Sequence, residues 1–456
     1  MTRRPITIAL ALLLLPLGAQ AEDLLQSYEL ARASDPQFSA AEAGRAISRE
    51  GATQARAAML PQINGDASYS RSRSDNESST AGTDTSSDTT TRDLGLRLNQ
   101  MVYDHSVITR VRSQDALARA ADFQLEAAGD SLITRTSAAY FNVLVAMETL
   151  SAAEAQETAL KKQFDFADKR LEVGLAPITD VHEARAQYDR ARANTIVTRN
   201  ALEDAYRALE EITGKEVRTL KSLPQDFQPE LPSALDAGGW VQAAIDNNPA
   251  LKAKELQLRS SDVDIETARA GHLPTLYLGA NYGRNRSDGD STNNVLNLSS
   301  DFENQSNSRS IGLTLSVPIF AGGATQSRVR QALAQRDATA DELEQQKRAL
   351  VRNTRNAYET LVAGISEVEA RKAAVFSARS AYDASQVGLE VGTRTVLDVL
   401  NNQQTLFNAE REYALARYNF LQNRLQLEQA AGTLDIDDLQ DVNRLLTTEP
   451  GVKPSP

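Results

Sequence analysis

Two short stretches hold the charged residues with the best claim on function: VGLAPITDV over residues 173–181 and VGTRTVLDV over residues 391–399, 218 positions apart. Each puts a Val-Gly pair ahead of an aspartate, Asp180 or Asp398, at the same distance. A glycine that closes a helical pattern supplies the left-handed residue that stops a helix. An aspartate at the next helix start accepts free backbone N–H groups there. Asp180 stands three residues before Glu183, the spacing of a capping box. Gly174 and Gly392 therefore read as helix C-caps, Asp180 and Asp398 as capping carboxylates, and Arg394 as a cation that only the second stretch carries. His182 lies beside Asp180, but a lone histidine near a helix start is usually solvated or packed. His105 and His272 are distant from it and form no metal-ligand spacing. No nucleophile motif or glycine-rich phosphate loop occurs. The sequence thus offers no catalytic, cofactor or metal residues, and an enzyme reading has nothing to stand on.

The elements that must position these stretches are themselves duplicated. Asp35-Pro36 recurs as Asn248-Pro249 and Leu60-Pro61 as Leu273-Pro274, both at an offset of 213. Val102-Tyr103 answers to Ile319-Phe320 at 217, while Ala139-Tyr140 and Ala357-Tyr358, Asp180 and Asp398, and Gly214 and Gly432 are each 218 apart. Two copies of one unit of roughly 200 residues are implied, far longer than a solenoid repeat. The first copy covers 22–217 and the second 241–432. Residues 218–240 form a connector containing Pro224, Pro229 and Pro232, and 433–456 form a tail.

Each copy reads as helix, strand, loop, strand, helix, helix. Apolar residues alternate with polar ones around Ile63, Ala67 and Tyr69, and again at Leu94, Leu96 and Leu98. Leu276, Leu278, Ala280 and Tyr282, then Ile311, Leu313, Leu315, Val317 and Ile319, repeat the pattern. Strands are expected at about 62–74, 91–103, 274–286 and 308–320, with the polar stretches 74–93 and 287–309 as long exterior loops. The spans 105–172 and 324–390 contain no proline, so each can form a helix of about 100 Å at ~1.5 Å per residue. Helices follow over 180–213 and 398–431. In the first of these, Ala184, Tyr188, Ala191, Thr195, Thr198, Leu202, Ala205, Leu209 and Ile212 step by four and three, which is a heptad seam.

The bulk properties place this architecture in the cell. Arg3 and Arg4, an apolar run from Ile6 to Leu17 and Ala19-Gln20-Ala21 make residues 1–21 a secretory signal peptide. The chain has no cysteine, so disulfides are excluded. Of 49 basic and 61 acidic residues the signal removes two arginines, leaving a charge of about -14, which argues against nucleic acid as a partner. No later apolar run reaches the roughly 18 residues of a membrane helix, but a membrane β-barrel needs no such run. Four strands cannot close a barrel. Two chains would give eight strands with a filled interior, and three would give twelve with a lumen. The competing reading is a soluble periplasmic coiled-coil scaffold or adaptor in which the strands form a small sheet.

The stretches VGLAPITDVHEARAQYDRA, VGTRTVLDVLNNQQTLFNAEREYALARYNFL and LSVPIFAGG give the chain a resemblance to the TolC-type outer membrane efflux protein family. The resemblance covers nearly all of the mature chain. It implies an α+β membrane protein, a homotrimeric 12-stranded outer-membrane β-barrel set in lipid with four strands per chain. A long α-helical coiled-coil barrel continues it into the periplasm. It implies a passive exit duct for drug efflux or type I secretion, whose partners are a periplasmic adaptor and an inner-membrane RND or ABC transporter. By the same resemblance the two turns form the periplasmic tip, with Val173, Gly174, Leu175, Val391, Gly392 and Thr393 as adaptor-docking positions. The tip gate would comprise Thr179, Asp180, Arg394, Asp398 and Asn401, with Asp180 pairing Arg394 and Asp398 facing the lumen, where three carboxylates would favour cations. This chain departs from the family pattern at Asn401, where a second lumen aspartate is expected, and at Leu389, where an aromatic residue is expected. A gate that opens readily follows.

Overall fold

The computed structural model describes residues 23–78, 83–175, 177–224, 226–232 and 235–447. The signal peptide, apart from which the mature chain was expected to begin, and the last residues of the tail lie outside them. In chain order the elements are α1 (Leu24–Ser34), α2 (Pro36–Ala57), β1 (Gln62–Ser78), β2 (Thr83–Tyr103), α3 (His105–Glu172), α4 (Ile178–Thr213), α5 (Ala237–Asn247), α6 (Pro249–Arg269), β3 (Thr275–Asn293), β4 (Leu298–Ser316), α7 (Ala324–Glu390), α8 (Val396–Ala431) and α9 (Ile436–Leu445). A 3-10 turn at Ala270–His272 joins α6 to β3. The chain divides into two units, one built from residues 42–125 and 250–347, the other from the remainder.

The first unit contains a four-stranded antiparallel sheet in the order β1-β2-β3-β4. Register carries the period-two pattern across all four strands, because each pairing sets like faces side by side. Ile63, Leu98, Ala280 and Ile311 stand in one row, and Gln100, Leu278 and Leu313 in the next row on that face. Asn64, Arg97, Asn281 and Ser310 form a row of the opposite, polar face. Ile311 is 77% exposed and Leu313 64%, so the apolar face is uncovered within the chain. The helices that adjoin the strands, α2, α3, α6 and α7, all do so at one end of the sheet. There Asp104 accepts from the Ser106 N–H at 2.9 Å and from the Tyr277 hydroxyl at 2.7 Å, fastening the start of α3 to β3. Helices of this unit meet through short side chains and ion pairs: Ser113 and Ser260 hydroxyls lie 2.8 Å apart, Arg45 pairs with Asp122 at 2.6 Å, and Lys254 with Glu342 at 2.6 Å.

Sequence and structure differ at the far end of the sheet. The stretches expected as loops, 74–93 and 287–309, are mostly strand, and β3 pairs with β4 as far as Asn293 and Leu298. Polar composition reports solvent, not loop: serine and threonine side chains suit a wet strand whose neighbour supplies the backbone hydrogen bonds. The helix starts also shift, since α4 and α8 begin two residues before the expected 180 and 398. The expected connector 218–240 overlaps α5 from Ala237 onward.

In the second unit α1 packs on α4 and α9, and α5 on α8. The break between α1 and α2 has a local cause. Pro36 can start a helix but cannot donate inside one, and Asp35 accepts the Phe38 N–H at 2.8 Å as a cap. Asp35 also pairs with Arg135 at 2.7 Å. Its counterpart Asn248, before Pro249, reaches the Ala430 carbonyl at 3.2 Å instead. The core gathers Leu209, Leu220, Leu223, Phe227, Trp240 and Phe420. Beside it Glu148 accepts from Arg417 at 2.6 Å and from the Tyr418 hydroxyl at 2.8 Å. All nine seam positions of α4 are buried or half-buried.

Candidate functional site at the helical turns

The turns after α3 and α7 share one backbone solution. Gly174 sits at φ 73° and Gly392 at φ 80°. The N–H of Leu175 reaches back to the Arg170 carbonyl at 2.8 Å and that of Gly174 to Leu171 at 2.9 Å. In the second turn Thr393 N–H reaches Gly388 at 2.8 Å and Gly392 N–H reaches Leu389 at 3.2 Å. Both are Schellman motifs, which satisfy the last helical carbonyls and need a residue without Cβ at the left-handed position. The C-cap reading of both glycines is therefore a local fact.

The helix starts that follow are unequal. Pro177 is the N-cap of α4 and offers no side-chain bond, so Asp180 lies in the first turn as the third residue and not at the cap. The Asp180–Glu183 spacing that suggested a capping box is not used, because the proline sets the helix start three residues earlier. Asp180 is half-buried and makes no ion pair among the described residues. Its position still suits a carboxylate, since the free N–H groups of a helix start carry partial positive charge. At α8 a complete capping box forms. Thr395 is the N-cap, its hydroxyl accepts the Asp398 N–H at 3.2 Å, and the Asp398 carboxylate accepts the Thr395 N–H at 3.0 Å and hydroxyl at 2.9 Å. The Thr395 N–H and hydroxyl, with Arg394 contributing, hold the Asp398 carboxyl below its ordinary value.

The remaining positions surround this pair of turns. Val173, Leu175 and Val391 are about two-thirds exposed, at 67%, 68% and 68%. Thr179, Gly392, Thr393 and Asn401 are exposed as well, with Asn401 one turn along α8 from Asp398. Leu389 is half-buried in the last turn of α7. Arg394 makes no ion pair among the described residues, so it is not brought together with Asp180 within one chain. His182 is exposed.

Gly388 is the residue that sequence reasoning missed. Its carbonyl accepts the N–H groups of Thr393 and Arg394, at 2.8 and 3.1 Å, and the Thr393 hydroxyl at 3.2 Å. A Cβ there would stand 2.6 Å from Arg394 Cγ. The stem of Arg394 thus lies directly on a glycine. The signal was a lone glycine inside a helical pattern, which costs about 1 kcal/mol and calls for a packing reason. Below the turns, Ala167, Val181 and Ala184 pack between α3 and α4 with Phe164 and Leu171. Leu160, Ala191 and Leu400 join α8 to the same pair, and Gln156 bonds Gln404 at 2.8 Å.

Comparison with known proteins decides the family. The model of the outer membrane efflux protein family matches residues 27–215 and 240–433, one match on each copy of the duplicated unit. The chain belongs to the outer membrane efflux protein family. It is 35% identical over 453 residues to outer membrane protein TolC of Escherichia coli, covering 99% of this chain and 90% of that one. It is 30% identical over 436 residues to the alkaline protease secretion protein AprF of Pseudomonas aeruginosa, covering 94% and 88%. Its fold matches the Campylobacter jejuni CmeC outer membrane channel with a TM-score of 0.76 at 17% identity, over 94% of this chain and 90% of that one. This outer membrane efflux protein is therefore an outer-membrane α+β protein whose helices extend into the periplasm, and it is not an enzyme. The soluble scaffold reading falls with that placement. No described helix is long and apolar enough to cross a membrane. The uncovered apolar rows of the sheet suit a surface that faces lipid.

Proposed function

We propose that three copies of this chain form a passive exit duct through the outer membrane, serving efflux or type I secretion. The sheet carries the proposal. β1 and β4 each pair on one side only among the described residues, and unpaired strand edges cannot be left in hydrocarbon. Closing through like chains joins β4 of one copy to β1 of the next, and three copies give a barrel wide enough for a lumen. Three copies supply six such helical turns for one periplasmic opening.

At that opening the exposed apolar residues Val173, Leu175 and Val391, with Gly174, Gly392 and Thr393, form the docking surface for a periplasmic adaptor that links the duct to an inner-membrane RND or ABC transporter. Arg394 and Asp180, both without an ion pair among the described residues, pair across the chain boundary as a latch. Asp398, ionised by its cap, faces the lumen with Asn401 and Thr179 nearby. Leu389 and Asn401 weaken the closed state. Planar-bilayer recording of the purified protein tests the reading: wild type conducts poorly and Arg394→Ala conducts several-fold better. Absence of any channel in both proteins would refute the duct, and equal conductance would refute the latch.

A further inference from the structure

The lipid-facing surface of the sheet is chemically asymmetric from one end to the other. At the helix end it finishes on Tyr103, Leu276 and Leu315 in register, followed by Val317 and Ile319, with no charged side chain. At the hairpin end it finishes on arginines. Arg309 shares a row with Leu96 and Tyr282, and Arg284 shares the next with Ala67 and Leu94. Arg92 and Arg286 share the row after that with Tyr69. No aspartate or glutamate occurs on that face in these three rows. Acids begin one row further out, at Asp288 and Glu303, where they pair with Arg92 and Arg286 respectively. Two of the arginines are thus neutralised from the solvent side. Among the described residues Arg284 makes no ion pair, and Arg309 makes none either but lies over the Tyr282 ring, 5.6 Å from its centre.

An uncompensated guanidinium beside hydrocarbon is costly, and the surrounding layer has to supply its counter-charge. Because the helices are periplasmic, the hairpin end lies in the outer leaflet, and the arginine rows stand at the height of its headgroups. A planar guanidinium matches a phosphate through two parallel hydrogen bonds. Further out, Asp288 and Glu303 already occupy Arg92 and Arg286, so among the described residues of these rows Arg284 and Arg309 are the arginines left without a carboxylate. The apolar residues below, Leu94 and Leu96, offer acyl chains a surface on the same strip.

We propose that Arg284 and Arg309 form a binding site for a phosphate-bearing lipid of the outer leaflet, with its phosphate between the two guanidinium groups and its acyl chains on the apolar rows beneath. The inference rests on the outer-membrane placement of the sheet and not on the latch or docking assignments. The test compares hexa-acylated, doubly phosphorylated diglucosamine lipid with the same lipid stripped of its phosphates. Each is incubated with detergent-solubilised full-length protein, and retained lipid is quantified by mass spectrometry after washing. Wild type should retain the phosphorylated form about thirtyfold better, two arginines contributing roughly fivefold each beside an anionic headgroup. Arg284→Gln with Arg309→Gln should fall to the dephosphorylated level, and Arg284→Lys with Arg309→Lys should keep an intermediate level. Equal retention of the two lipids by wild type overturns the proposal whether or not any variant assembles. Undiminished retention by the glutamine variant overturns it too. Bilayer conductance of the same samples reports separately on the duct.

Discussion

Replacing Glu428 by glutamine should stabilise the helical unit at alkaline pH and leave it nearly unchanged in mild acid. Glu428 lies on α8 at 3% exposure, with Oε1 accepting from Arg424 at 3.1 Å and Oε2 buried without a partner. Asp438 and Asp441 face it from α9. Burial, then the Asp438 charge, push its carboxyl from 4.5 to about 7, and Arg424 only partly offsets them. A folded value above the unfolded one means that the folded chain holds the extra proton between these limits. Stability is then full below about pH 4.5 and declines as pH rises through 7. Ionising the group in place costs up to ~3 kcal/mol once the pH is well above 7. Asp438 is itself raised, chiefly by burial, so it acts with the same sign. Glutamine keeps the shape and carries no charge at any pH. The assay is the thermal midpoint of helical ellipticity for both proteins from pH 5 to 8.5. The two should nearly coincide at pH 5 and separate by several degrees at pH 8.5, with the variant higher. Parallel curves, or a variant that loses stability at pH 8.5, would refute a neutral buried carboxyl here.

Two further outcomes follow from the packing. Gly174 and Gly432 share the left-handed conformation, at φ 73° and 68°, but a Cβ on Gly174 meets open space and one on Gly432 comes within 2.6 Å of the Asn248 backbone. Gly174→Ala should cost about 1–2 kcal/mol and Gly432→Ala about 2–5 kcal/mol, read from denaturant midpoints, and equal losses would refute the close approach. Asp35→Ala removes both the cap on Phe38 and the partner of Arg135, so about 3–5 kcal/mol should be lost; Asp35→Asn, the side chain found at the duplicated position, keeps the cap and should lose less.

What could be read from the sequence was whatever depends on periodicity and on proline. The spans 105–172 and 324–390 carry no proline, and α3 and α7 occupy them. Alternation marked the lipid-facing rows because register preserves it from strand to strand. Strand length was not legible, since a serine- and threonine-rich stretch is equally polar as loop and as wet strand. The cap of α4 was misplaced because Asp180 and Pro177 are both plausible helix starters, and only the backbone chooses between them. Thr395 with Asp398 did carry the capping-box spacing in view. Contacts between distant segments, such as Arg417 with Glu148 or the Arg394 stem on Gly388, leave no mark on local pattern.

The two turns are copies in backbone and opposites in charge. Both close a long helix with the same Schellman geometry, so both can present the same exposed valine at the same place. They diverge in what becomes of the ionic groups. In the second turn the Asp398 carboxylate is held by its own cap and is thereby tied down locally. In the first, a proline cap that donates and accepts nothing from its side chain leaves Asp180 with no local claim on it. Arg394 is fixed at its stem by Gly388, and among the described residues its guanidinium makes no salt bridge and acts on Asp398 through its charge alone. A half-buried carboxylate in one copy and an anchored guanidinium in the other, neither in a salt bridge among the described residues, carry complementary charge. In the latch proposed above, divergence at a single cap is sufficient to turn two equivalent turns into two halves of one contact between neighbouring chains.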